Sequence, residues 1–119
     1  MELTGQAKLL RIFIGEADKI EHVALYEVIV KAARRAGLAG ATVWRGIFAY
    51  GPSSRIRTAK VLNLSADLPI IIEIVDSETN IDGFIPRLNQ LFEKKADCGG
   101  LVTIEKVEII RYTHGLNKN

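Results

Sequence analysis

One cysteine, Cys98, is all the chain has for sulfur chemistry, so an internal disulfide is excluded. A lone thiol also suits a reducing compartment, and the expected address is the cytoplasm. Histidine is equally scarce. His22 and His114 are far apart and Cys98 has no Cys or His nearby, so no metal site has a recognisable spacing. Gly-x-Ser-x-Gly, P-loop and His-Glu-x-x-His patterns are all missing. Nothing in these absences argues for an enzyme. Long apolar runs are missing too: the longest, residues 68–72, falls far short of the roughly 20 residues of a membrane span. The start, Met-Glu-Leu-Thr-Gly-Gln, lacks the basic-then-apolar pattern of a signal peptide.

What is present suits one globular domain. The 119 residues can bury a core without covalent staples. With 48% hydrophobic and 25% charged residues, the composition is ordinary for such a domain. The net charge of +2 says little, but its distribution says more. Residues 28–66 carry Lys31, Arg34, Arg35, Arg45, Arg55, Arg57 and Lys60 and no acid. Residues 67–97 carry seven acids against Arg87, Lys94 and Lys95. Such asymmetry favours an anionic ligand or a charge-paired partner, the plainer reading being a solvated basic surface.

Periodicity predicts the elements. A first strand covers 8–15, with Leu10, Ile12 and Ile14 on one face and Leu9, Arg11 and Phe13 on the other. A helix follows over about 22–36, with Val23, Leu25, Tyr26, Ile29, Ala32, Ala33 and Ala36 as its stripe and Gly37 as the C′ residue. The second strand is expected over 42–50, a cationic loop over 51–60, and a third strand over about 60–75 with room for a break near Asp67-Leu68-Pro69. Residues 77–80 offer N-caps for a second helix ending near Ala96. Pro86 implies that this helix starts near Gly83 or has an irregular first turn. Asp97-Cys98-Gly99-Gly100 breaks it, a fourth strand spans 101–112, and 113–119 reads as a frayed, flexible tail.

The order is βαββαβ. Right-handed crossovers place both helices on one face of a four-stranded antiparallel sheet, an α+β, ferredoxin-like fold. The second face stays uncovered although the third strand is apolar on both sides and the second offers Trp44, Phe48 and Tyr50. An exposed apolar face of that size predicts self-association. Glu73 stands alone in the apolar third strand. It is either a general base with a raised pKa or, more ordinarily, a carboxylate that meets a cation on the less buried side. RNA-recognition modules share this element order but stack bases on aromatics of the first and third strands. Here Arg45-Gly-Ile-Phe-Ala-Tyr lies on the second strand and the third has no aromatic, so no nucleic acid is expected.

Three stretches, in order, resemble the PII signalling proteins, and above all a PII-like bacterial family of uncharacterised proteins. They are Trp44-Arg-Gly-Ile-Phe-Ala-Tyr-Gly through Lys60, Leu68-Pro-Ile-Ile-Ile-Glu-Ile-Val, and Gly99-Gly100 with Ile110-Arg-Tyr-Thr-His-Gly. The resemblance covers residues 8–115 and implies a ferredoxin-like subunit in a homotrimer with its sheets facing inward. It implies a small anionic ligand, typically an adenine nucleotide, in clefts between subunits, with no resident cofactor. It also implies a partner-gripping T-loop, whose protein partner would be of the kind of a membrane transporter. Carried over by position, Arg45 and Gly46, Gly99 and Gly100, and Arg111 would line the cleft. Ser53, Ser54, Arg55, Arg57 and Lys60 would form the partner loop. Two departures stand out: PII proteins have Gly-Asp-Gly-Lys where this chain has Asp-Cys-Gly-Gly-Leu, and the loop lacks the tyrosine that some of them modify. The alternative is a constitutive interaction trimer with an empty cleft.

Overall fold

The computed structural model describes residues 4–52, 56–59, 67–94, 99–113 and 115. Strand β1 (Gly5–Gly15) leads into a small hairpin, β2 (Lys19–Ile20) and β3 (Val23–Ala24), and then helix α1 (Leu25–Arg35). Next come β4 (Thr42–Arg45) and a two-stranded ribbon of β5 (Phe48–Ala49) and β6 (Arg57–Thr58). Strand β7 (Pro69–Asp76), helix α2 (Glu78–Glu93) and β8 (Leu101–Ile109) complete the chain. The main sheet has the order β4-β7-β1-β8 and is antiparallel at every pairing. With two helices on one face, this is the ferredoxin-like arrangement. Strand β7 is central, as an element apolar on both faces should be.

Cross-strand partners share a face, so register assigns every side chain. Leu10, Ile12 and Ile14 of β1 and Ile70, Ile72 and Ile74 of β7 are buried beneath the helices. Helix α1 contributes Leu25, Ile29, Ala32 and Ala33, and α2 contributes Ile81, Phe84, Leu88 and Leu91. At the rim, Lys8 donates to Asp82 at 2.8 Å and pairs with Glu78 at 3.4 Å, tying β1 to α2.

The helix ends differ from expectation in instructive ways. Helix α1 begins three residues later than periodicity suggests, because Glu21 and His22 form the tight turn between β2 and β3. Their φ values of 49° and 73° match the left-handed pair that a two-residue hairpin requires. Gly37, with φ of 82°, follows the helix as expected. Helix α2 is regular from Glu78 onward, capped by the Ser77 hydroxyl accepting from the Asn80 N–H at 3.2 Å. Pro86 lies inside it, so neither a start near Gly83 nor an irregular first turn occurs. Pro86 and Asp82 both face solvent, where water can satisfy the carbonyl that Pro86 leaves without its N–H. The helix ends at Glu93, with Lys94 as its C-cap, and the expected end near Ala96 lies outside the described residues.

Two strands are shorter than predicted. Strand β8 stops at Ile109 rather than Tyr112. The stretch 42–50 divides at Gly46, and only 42–45 joins the main sheet. Trp44 therefore lies on the uncovered face, while Phe48 and Tyr50 do not belong to that face. The expected third-strand segment 60–66 lies outside the described residues, as do Cys98, His114 and most of the predicted tail.

Candidate functional site

One end of the sheet gathers the end of β1, the start of β7, the end of β4 and the start of β8. There the chain leaves β4 through Gly46, whose N–H donates to the Pro69 carbonyl at 2.7 Å. A Cβ at Gly46 would sit 2.5 Å from Pro69 Cγ, so no other residue fits without moving a rigid ring. The chain then enters the ribbon, with Phe48 opposite Thr58, Ala49 opposite Arg57, and the Ala59 N–H donating to the Ile47 carbonyl. The ribbon is the base of the predicted loop, so Arg57 is a strand residue rather than part of a loose tip. Ser53, Ser54, Arg55 and Lys60 lie outside the described residues. Ile47, Phe48 and Tyr50 are more than 60% exposed, and Ile47, Phe48, Thr58 and Ala59 line a shallow, mostly apolar hollow.

Two arginine–carboxylate pairs fasten this base to the rest of the chain. Arg45 donates to the Glu16 carboxylate in the turn after β1. Arg57 donates to the Asp67 carboxylate and, at 3.2 Å, to the Asp67 main-chain carbonyl. The other Asp67 carboxylate oxygen accepts from the Ala17 N–H at 2.7 Å, and the Glu16 N–H donates to the Leu68 carbonyl at 2.8 Å. Glu16 and Asp67 were not visible as site residues in the sequence. Glu16 is 29 positions from Arg45, and only the antiparallel sheet brings them together.

Gly99 and Gly100 enter β8 at this same end, but at the opposite edge. Gly100 packs where a Cβ would lie 2.8 Å from the Phe92 ring and 3.4 Å from the Phe13 carbonyl. Three strand spacings, about 14 Å, separate the Arg45 edge from the Gly100 edge. Arg111 lies past the far end of β8, a strand length of about 30 Å away. Next to it, the Tyr112 hydroxyl donates to the Ala39 carbonyl at 3.0 Å. The five predicted cleft residues thus fall into three places on one protomer.

The uncovered face has its own chemistry. Arg11 donates to Glu73 at 2.8 Å and to Glu105 at 2.7 Å, and the Trp44 indole N–H donates to Glu73 at 2.8 Å. The Arg11 guanidinium, and next the Trp44 N–H, hold the Glu73 carboxyl below the usual carboxylate range against the opposing effect of partial burial. Glu73 is therefore the cation-paired carboxylate and not a base with a raised pKa. Among the described residues, no group of three His, Cys, Asp or Glu side chains is placed to hold a metal. No helix among them is long and apolar enough to cross a membrane.

The fold is that of the PII-like proteins. A nitrogen regulatory PII-like protein from Thiomonas intermedia K12, solved with ADP, AMP and bicarbonate, superimposes with a TM-score of 0.66 at 20% identity, covering 89% of this chain and 90% of that one. A putative PII-like signaling protein from Thermus thermophilus gives 0.63 at 20% identity, with 89% and 91% covered. Residues 7–109 match the family model DUF190, described as uncharacterized ACR, and the chain belongs to that family. A UPF0166 protein from Aquifex aeolicus is 39% identical over 87% of this chain and 92% of its own length. Another, from Methanocaldococcus jannaschii, is 36% identical over 89% and 94%.

Proposed function

We propose that this protein is a non-enzymatic, cytoplasmic, PII-like signalling trimer. It takes a small anionic ligand, of adenine-nucleotide class, in clefts between protomers, and it engages a protein partner such as a membrane transporter through the loop at 51–60. One observation carries the reading: Arg45 and Gly46 on one edge of the sheet and Gly99 and Gly100 on the other lie at the same end. A ring of protomers, each setting its β4 edge beside a neighbour's β8 edge, would bring the two halves into one cleft. Arg111, a strand length of about 30 Å from its own Gly100, would lie outside a cleft assembled in that way. Glycine turns let backbone N–H groups approach phosphate oxygens, and arginine supplies bidentate, charge-assisted bonds. The partly apolar uncovered face and the edges of β4 and β8, which pair with no further strand among the described residues, supply surfaces for assembly. The nucleotide-bound Thiomonas protein supports the ligand class by likeness of fold.

A second reading is favoured by the ion pairs. Arg45 and Arg57 are already neutralised by carboxylates of their own chain, as suits a constitutive interaction trimer without a small ligand. Thermal melting against AMP, ADP, ATP, cyclic nucleotides and 2-oxoglutarate separates the two. A ligand present at a hundred times its dissociation constant adds about 2.7 kcal/mol to the folded state, which is a readily measured rise in Tm. A rise with one nucleotide, abolished by Arg45→Ala, supports the sensor. A flat response to every compound supports the constitutive trimer.

A further inference from the structure

The two carboxylates that hold the loop base are not equivalent. Asp67 is fixed from several sides: one carboxylate oxygen accepts from the Ala17 N–H, the other from Arg57, and its main-chain carbonyl accepts from Arg57 as well. Glu16 is anchored through its backbone, by the Leu68 carbonyl, and extends its side chain to Arg45, which is 60% exposed. The side chain can therefore leave while the turn stays in place.

We propose that Glu16 is a built-in competitor for the anionic ligand at Arg45. The inference rests on the ligand-binding function proposed above. In the empty protein the Glu16 carboxylate occupies the guanidinium, and a phosphate-bearing ligand must displace it. A guanidinium fork accepts a phosphate bidentately and gains more from a doubly charged group than from a single carboxylate. A free monoanion, by contrast, meets a rival of equal charge that is tethered beside the site at an effective concentration in the millimolar range. Glu16 thereby sets a concentration threshold and selects for charge. Asp67 meanwhile keeps the ribbon attached through Arg57, so ligand exchange at Arg45 need not unfasten the loop base.

The test is titration calorimetry of purified wild type, Glu16→Gln and Arg45→Ala with ADP and with uncharged adenosine. Glutamine keeps the length of Glu16 and removes its charge. Loss of a competing surface ion pair and of a nearby like charge should tighten ADP by about three- to tenfold. Adenosine affinity should stay within about twofold, and Arg45→Ala should weaken ADP. ADP binding by Glu16→Gln where wild type shows none also supports the proposal. Wild-type binding of ADP with no tightening in Glu16→Gln, or equal tightening of ADP and adenosine, overturns the competitor and leaves the ligand site standing. No binding by either protein overturns both.

Discussion

On the helix-covered side of the sheet, Leu10, Ile12, Ile70, Ile72 and Ile74 are buried against two helices in an aliphatic layer. On the other side of the same sheet, Trp44, Val75 and Leu101 remain exposed around Arg11, Glu73 and Glu105. The first face is filled within one chain along the two central strands, while Val43, Val102 and Ile104 on the edge strands stay exposed. The second has aromatic and aliphatic area, a charged centre with one carboxylate in excess, and no covering element among the described residues. Interface cores are enriched in aromatic residues and arginine, and this face has that chemistry rather than the chemistry of a core.

If that contrast is right, mutations should fall into two classes. The largest effect belongs to the covered face: Leu88→Ala, at a position only 1% exposed, should cost about 2–5 kcal/mol in denaturant unfolding. Next comes the corner that shapes the candidate site. Gly46→Ala places a methyl group against Pro69 and should cost about 1–3 kcal/mol, together with loss of any ADP-dependent rise in Tm. Smaller again is Trp44→Phe, which removes the N–H to Glu73. At its half-exposed position it should cost about 1 kcal/mol. Unlike Leu88→Ala, it should also weaken self-association measured by sedimentation.

The smallest expected effect is the acid dependence of the open face. Glu73 has its carboxyl pKa lowered by Arg11 and Trp44 in the folded chain. Its contribution is therefore fully present above the ordinary glutamate range and is lost as the pH falls through the folded value. Urea midpoints of wild type should decline through that acid window, and those of Glu73→Gln should decline less. An equal decline in both would place the acid sensitivity elsewhere.

Much of this was legible in the residues. The βαββαβ order, the two faces of β1, the central position of β7 and the pairing of Glu73 with a cation all follow from alternation and from one charge in an apolar strand. The division of 42–50 was not legible, because its β-branched and aromatic residues read as one continuous strand. What divides it is a tertiary contact, the packing of Gly46 against Pro69, which lies 23 positions later. The start of α2 was not legible either, because a proline reads as a helix breaker and only the fold shows that Pro86 and Asp82 lie on a solvated helical face. Of the candidate site, the residue types were visible but their arrangement was not. Arg45 and Gly100 share an end of the sheet at opposite edges, and Arg111 lies at the other end. The split of Arg45 and Gly100 between opposite edges of one end is the strongest physical reason to look for the site between protomers.

The mass of the native protein by light scattering at micromolar concentration tests this most directly. The account predicts three times the 13.1 kDa chain mass, at which opposite edges of neighbouring sheets meet. A stable monomer would contradict it, because Arg45 and Gly100 would then never line the same cleft.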